Sequence, residues 1–276
     1  MGLIQFRTRM DKRMYSALTL PARATKPRTT GVTMVIDNGL PLRAFRDSID
    51  SYGELIDLVK FGWGTAIVTP RIDEKIACLG AAGIGWFFGG TLFEKHVAQG
   101  RFDEYRRLCR EHNCRYVEVS NGTVPIEEAR KADYVARLSA EFTVLSEVGS
   151  KTAAGNARLQ PRDWARQIST DLAHGARWVI TESRESGTTG IAGTDGNPRD
   201  DILDALRDAG AAPASLIFEA PTKTLQTSFV QRFGADVNLG NIAPADVIAV
   251  ETLRLGLRSD TMTEAADLRE ERVIHA

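Results

Sequence analysis

Cysteine is scarce in this 276-residue chain: Cys78, Cys109 and Cys114 make an odd count with no CxxC spacing. Neither a disulfide framework nor a thiolate zinc site follows from such a pattern. Net charge is almost absent, with 35 lysines and arginines against 36 acids. No overall field therefore draws the protein to nucleic acid or to anionic lipid. No apolar run approaches the roughly 18 to 20 residues of a membrane span. The GxGxxG fingerprint of a dinucleotide fold and the GxxxxGK(S/T) of a P-loop are both missing. His96, His112, His174 and His275 fall on helical segments or the tail, and no Cys–His or Ser–His nucleophilic pair is legible. These absences argue for a cytoplasmic, reducing location with no nucleic-acid partner and no membrane. What is present is ordinary globular composition, 43% hydrophobic and 26% charged.

From Gly31 onward two kinds of segment alternate. Short apolar, β-branched runs come first: GVTMVID, LIDLVKFG, IGWFFGG, RYVEVSNG, FTVLSEVG, RWVITES, SLIFEAP and ADVNLGN. Each reads as nearly continuous hydrophobic sequence and ends in a polar or glycine-rich turn, as a parallel strand buried on both faces should. Between them lie charged segments with helical spacing, among them 101–113, 126–138, 161–174, 200–208, 222–233 and 244–255. Pro161 and Pro244 stand where a first helical turn tolerates proline. Eight strand–helix units without a composition break predict an α/β fold, a single (β/α)8 TIM barrel over 31–260. An open doubly wound sheet is the alternative.

The flanks differ from this core. In residues 1–30, Arg7, Arg9, Lys12, Arg13, Arg23, Lys26 and Arg28 face a single acid, Asp11. The expectation is a basic, partly ordered N-terminal extension or a cover under the barrel, rather than a targeting peptide, because the continuous apolar stretch of a secretory signal is missing. Residues 261–276 read as a charged, fraying tail.

In a barrel of this kind, residues at the C-terminal ends of the strands point into the site. Those positions hold Asp37, Lys60, Thr65, Glu94, Glu118, Glu147, Lys151, Glu182, Arg184, Glu219, Lys223, Asn238 and Asn241. Buried charge is costly unless paired, ligated or used, and so many in register are hard to explain as bracing. Glu118, Glu147, Glu182 and Glu219 recur on strands four to seven, and four converging carboxylates need a cation or basic side chains among them. An all-oxygen set suits Mg²⁺, with two of the glutamates touching the metal and the others orienting lysines. The alternative is that all four only brace Lys60, Lys151, Arg184 and Lys223. Glycine-rich turns FGWGT (61–65), FGGT (88–91) and SNGT (120–123) have the form of anion-cradling loops, with Thr65 and Thr91 as hydroxyl donors. The NLGN turn (238–241), bearing Asn238, Gly240 and Asn241, stands where barrels commonly hold phosphate.

At these residues the chain resembles the phosphosulfolactate synthase family. The matching segments are GVTMVIDNGLP (31–41), LIDLVKFGWGT (55–65), GGTLFE (89–94), VEVSNG (117–122), VLSEVGSK (144–151), ESRESGTTGI (182–191), IFEAP (217–221), VNLGNI (237–242) and VETLRLGLRSDT (250–261). The resemblance implies a (β/α)8 barrel, Mg²⁺ dependence, and addition of sulfite to phosphoenolpyruvate, a lyase reaction that opens coenzyme M synthesis in methanogens and supplies sulfolactate in some bacteria. It implies Lys151 as the acid that protonates the carbon beside the substrate carboxylate. Lys60, Arg184, Lys223 and the NLGN turn would then hold phosphate, carboxylate and sulfite, with Asp37 completing the catalytic group. The family often has lysine at Asn38, aspartate at Asn121 and a second lysine at Ser150. These departures keep open a different nucleophile, or a different phosphorylated acid. A non-catalytic relative like the heat-stress proteins of plants is a further alternative, against which the retained Asp37, Lys60, Glu147, Lys151 and Arg184 speak. Homo-oligomers are common among barrels, and no interface is legible in the chain.

Overall fold

The structure, a computed structural model, describes residues 18–151, 155 and 159–262. Eight strands follow one another: β1 (Thr33–Asp37), β2 (Leu58–Phe61), β3 (Gly85–Phe88), β4 (Tyr116–Val119), β5 (Thr143–Val148), β6 (Ala176–Thr181), β7 (Leu216–Glu219) and β8 (Leu239–Ile242). The pairings are all parallel, in the order β3-β2-β1-β8-β7-β6-β5-β4. Only the seam between β3 and β4 lacks a ladder among the described residues. There Tyr116 packs over Gly85, where a Cβ would come within 2.6 Å of its ring. The product is a nearly closed (β/α)8 barrel, as the alternation of segments predicts.

The outer layer is α1 (Leu42–Tyr52), α2 (Thr65–Val68), α3 (Ile72–Ala81), α4 (Gly90–Ala98), α5 (Phe102–Glu111), α6 (Glu128–Ser139), α7 (Pro161–Ala173), α8 (Asp200–Asp208), α9 (Lys223–Phe233) and α10 (Val247–Arg254). Pro161 opens α7, with Gln160 and Asp163 forming a capping box around it. The segment expected as one helix over 244–255 divides, because a 3-10 turn at Pro244–Asp246 precedes α10. No described helix is long and apolar enough to cross a membrane.

Side chains along a strand alternate between the two faces of the sheet. One set, including Val35, Val59, Val117, Val144, Val179 and Phe218, packs outward in the large core shared with the helices. The other set, Met34, Leu58, Phe87, Leu145, Trp178, Ile180 and Ile217, fills the barrel lumen with Tyr116 beside it. This alternation also positions the chemistry. Two residues beyond Leu58, Tyr116, Leu145, Ile180 and Ile217 come Lys60, Glu118, Glu147, Glu182 and Glu219. The charged layer therefore sits directly on a dry apolar plug.

Basic residues of the N-terminal segment lie against the opposite rim. Arg23 reaches Asp236 at 2.7 Å, Glu251 at 3.0 Å and the carbonyls of Gly31 and Ala235. Lys26 donates to the Gly53 carbonyl, and Arg28 pairs with Asp57 at 3.1 Å. Beneath them Arg254 is buried and donates to the carbonyls of Val32, Ala235 and Val237. Burial and the neighbouring Arg23 push its pKa down to about 9. Arg7, Arg9, Asp11, Lys12 and Arg13, like the tail beyond 262, lie outside the described residues.

Candidate active site

Lys60 is the hub of the mouth. Its Nζ lies 3.1 Å from Glu118 Oε1, 3.3 Å from Glu147 Oε2 and 3.2 Å from Glu219 Oε1, and all four side chains are almost wholly buried. Burial alone would lower the lysine's pKa, yet Glu118, Glu219, Glu147 and Glu182 together hold it well above the ordinary value. One ammonium cannot neutralise three carboxylates in a dry site. Burial pushes Glu118 up to about 8, with Lys60 pulling the other way and Glu147 adding to the rise. Both Glu118 carboxylate oxygens are buried without a hydrogen-bond partner, and Lys60 is the cation beside them. Glu147 runs the opposite course: burial would raise it, but the charges of Lys151 and Lys60 hold it well below the usual carboxylate range.

Lys151, just beyond β5, approaches Glu147 from the other side. Its Nζ lies 3.0 Å from Glu147 Oε1, 3.3 Å from Ser120 Oγ, 3.5 Å from Glu94 Oε1 and 4.0 Å from Glu182 Oε2. Burial opposes its charge, and Glu147, Glu182 and Glu118 overcome that effect and keep it protonated. Glu94 accepts the Ser120 hydroxyl at 2.5 Å and the backbone N–H groups of Thr123 and Val124, so it fixes the loop after β4. Two glycines let these pieces close. A Cβ on Gly90 would stand 2.7 Å from Glu118 Oε1 and 2.5 Å from Ser120 Cβ, and one on Gly122 would stand 3.0 Å from Lys151 Cγ. Glycine is needed there for close approach as much as for anion cradling.

Glu147, Glu182 and Glu219 each bring one oxygen to within 4.8 Å of the others, and all three are buried. Burial first, then the charges of Glu147 and Glu219, raise the Glu182 pKa well above its usual range; burial and Glu147 also raise Glu219. Three carboxylates so crowded are eased by a cation between them. Above this cluster opens a pocket of about 380 Å³, counting its mouth. Its walls include Trp63, Thr91 in the first turn of α4, Ser183, Arg184, Glu185 and Asn241. Arg184 makes no ion pair among the described residues. The Asn241 side-chain oxygen is buried without a hydrogen-bond partner, on a left-handed residue with φ 52°. The pocket thus offers a free guanidinium, a hydroxyl and a helix N-terminus to an anion.

Of the sequence candidates, Lys60, Lys151, Arg184, Thr91, Asn241, Glu182 and Glu219 line this pocket, and Glu147 lies beneath them against Lys60 and Lys151. The structure places the rest elsewhere. Asp37 has the parity of the outward-facing Val35, and its carboxylate is taken by Lys75 at 2.5 Å and by the N–H groups of Gly39 and Leu40. Glu118 lies beside Lys60 outside the cation-sized cluster. The Thr65 hydroxyl turns back to the Gly62 carbonyl. Lys223 is exposed on α9 and pairs with Asp260 at 2.9 Å. Asn238 precedes β8 and sits at the opposite rim, bonded to Val32 N–H and to the Leu216 carbonyl. Gly240 belongs to the lumen, where a Cβ would meet Met34 at 2.6 Å. Sequence reading did not single out Ser120, Trp63 or Ser183, whose N–H binds Glu219 at 2.8 Å. Ser120 has the same lumen parity as Glu118, which is the signal that finds it.

A (β/α)8 barrel with a buried lysine–carboxylate centre at the C-terminal ends of its strands is an enzyme's architecture, and known proteins make it specific. The model of the (2R)-phospho-3-sulfolactate synthase (ComA) family matches residues 21–260. The chain is 51% identical over 245 residues to the phosphosulfolactate synthase of Bacillus subtilis, covering 89% of this chain and 97% of that protein. It is 39% identical over 246 residues to the phosphosulfolactate synthase of Methanothermobacter thermautotrophicus, covering 88% and 95%. Among solved structures, 3-hexulose-6-phosphate synthase from Salmonella typhimurium aligns with TM-score 0.51 at 12% identity over 88% of this chain and 99% of that one, a likeness of fold alone. The protein belongs to the phosphosulfolactate synthase family.

Proposed function

We propose that the protein adds sulfite to phosphoenolpyruvate to give 2-phospho-3-sulfolactate, a lyase-class reaction that forms a carbon–sulfur bond. The observation that carries this reading is the bridging of Lys60 and Lys151 by Glu147, one corner of a cation-sized carboxylate cluster beneath Arg184, which has no ion-pair partner among the described residues. The cluster fits Mg²⁺, since its donors are hard oxygens and the two ammonium groups of Lys60 and Lys151 do not balance all of the crowded buried carboxylates. Glu147, Glu182 and Glu219 would hold the ion. When bound, it supplies Lewis-acid stabilisation of the charge that grows on the substrate carboxylate.

The chain's own groups account for the rest. Arg184, Thr91, Asn241 and the N-terminus of α4 receive the phosphate and carboxylate of phosphoenolpyruvate and the incoming sulfite. The sulfite lone pair forms the C–S bond at C3 while the C2=C3 π pair moves to C2 and into the carboxylate. Lys151, protonated at the start, delivers its Nζ proton to C2 and is recharged from water; the phosphoester stays intact. Lys60 remains charged throughout and keeps Glu147 and Glu219 oriented. The positions that depart from the family pattern lie away from the pocket lining. Asn121 donates its amide to the Ile126 carbonyl within its own loop, and neither Asn38 nor Ser150 lines the pocket.

Thermal unfolding checks ligand recognition. With Mg²⁺ present, phosphoenolpyruvate at a hundred times its Kd is expected to add about 2.7 kcal/mol of stability. Omitting Mg²⁺ should reduce the gain. A protein acting only through protein partners would show no shift, and that result would count against the proposal.

A further inference from the structure

Outside the mouth, the helix layer holds two buried lysine–carboxylate pairs of the same build. Lys75 of α3 reaches Asp37 of β1, and Lys131 of α6 reaches Asp171 of α7 at 2.7 Å. All four residues are at most 3% exposed. Pairs like these contribute little net stability, because desolvation offsets their attraction, and apolar replacements of similar volume often do as well. The second pair has connections that stability does not require. The Lys131 ammonium also donates to the backbone carbonyl of Glu147 at 2.6 Å. Ser146, which faces the helices with Val144 and Val148, donates to the same Asp171 oxygen at 2.6 Å.

The ladder explains why this contact is needed. Pairing of β4 with β5 ends at Val119↔Ser146, one residue before Glu147. The Val148 carbonyl accepts from Glu182 N–H on the β6 side. By alternation, the Glu147 carbonyl faces the β4 side, where no strand partner remains. Lys131 stands in for that missing partner.

We propose that Lys131 is a positioning residue for the active site: together with Asp171 it fixes the end of β5, so that the Glu147 carboxylate bridges Lys60 and Lys151 and forms one corner of the cation-holding triad. This inference rests on the metal reading under Proposed function. Lys75–Asp37 ties down the end of β1, from which no glutamate of the triad comes, and so serves as an internal control.

The test is titration of the full-length protein with Mn²⁺ alone, reading free ion by electron paramagnetic resonance, with unfolding temperatures measured in parallel. Lys131→Met is expected to weaken Mn²⁺ binding by about tenfold or more, the effect usual for groups that orient metal ligands. Lys131→Arg keeps a donor and should recover most of the affinity. Ser146→Ala, which leaves the packing intact, should move affinity in the same direction by a smaller factor. Lys75→Met should lower the unfolding temperature but leave Mn²⁺ affinity within about twofold of wild type. Wild-type affinity in Lys131→Met and Ser146→Ala would overturn the inference, as would an equal loss in Lys75→Met. A wild-type protein that binds no Mn²⁺ would sink the metal reading itself, an outcome distinct from both.

Discussion

Lys151→Ala is expected to lose about a hundredfold to ten-thousandfold in turnover, the span attributed to a positioned general acid. The variant should still bind phosphoenolpyruvate, because Arg184, Thr91 and Asn241 line the pocket independently of the Lys151 side chain. Lys151 suits the role by geometry. It is the ammonium nearest the opening, 13% exposed against 6% for Lys60, and it is held by Glu147 at 3.0 Å with Ser120 and Glu94 behind it. Lys60 also lines the pocket but lies deeper, enclosed by three glutamates. Steady-state kinetics checks the assignment: kcat should fall far more than KM changes. Near-wild-type turnover in Lys151→Ala would remove the acid role from this lysine.

Lys60→Met is expected to be among the most destabilising single changes in the barrel, by about 3 to 5 kcal/mol at neutral pH. That is the usual cost of leaving a buried partner charge uncompensated. In the wild type the lysine's pKa is raised, so its contribution is fully present below the unfolded value near 10.5 and is lost only as pH climbs through the higher folded value. Without Lys60, Glu147 and Glu219 lose a cation that favours their ionised forms, and Glu118, already at about 8, rises further. The folded variant then binds more protons than its unfolded chain above pH of roughly 4.5, so its stability falls with rising pH. The gap between variant and wild type should therefore narrow toward acidic pH and widen toward alkaline pH. Urea denaturation across pH 5 to 9 checks this. A gap independent of pH would show that Lys60 acts through packing rather than charge.

The barrel was legible because buried parallel strands and amphipathic helices follow each other with little interruption, and the periodicity of each is strong. The charged centre was legible too, in Lys60, Glu147, Glu182 and Glu219, since buried charge at strand ends stands out in apolar runs. The misplaced candidates have separate physical causes. Listing strand ends ignores side-chain parity: Asp37 is one residue after Ile36, so it faces the helices and meets Lys75, not the mouth. Asn238 was misplaced because β8 begins at Leu239, later than the apolar run ADVNLGN suggests. Lys223 follows a strand end correctly, but whether a side chain at a helix start turns inward depends on tertiary contacts, here Asp260. Lys131 was invisible for a different reason: a lysine within a charged helical segment looks like any surface lysine until the neighbouring helix brings Asp171 to it.

The most direct test is one incubation of the pure protein with phosphoenolpyruvate, sulfite and Mg²⁺, followed by phosphorus NMR beside a control without sulfite. A new phosphoester resonance that appears only with sulfite is the expected result. No new resonance, in a sample that phosphoenolpyruvate and Mg²⁺ demonstrably stabilise, would contradict the sulfite-addition reading and direct the search to other nucleophiles.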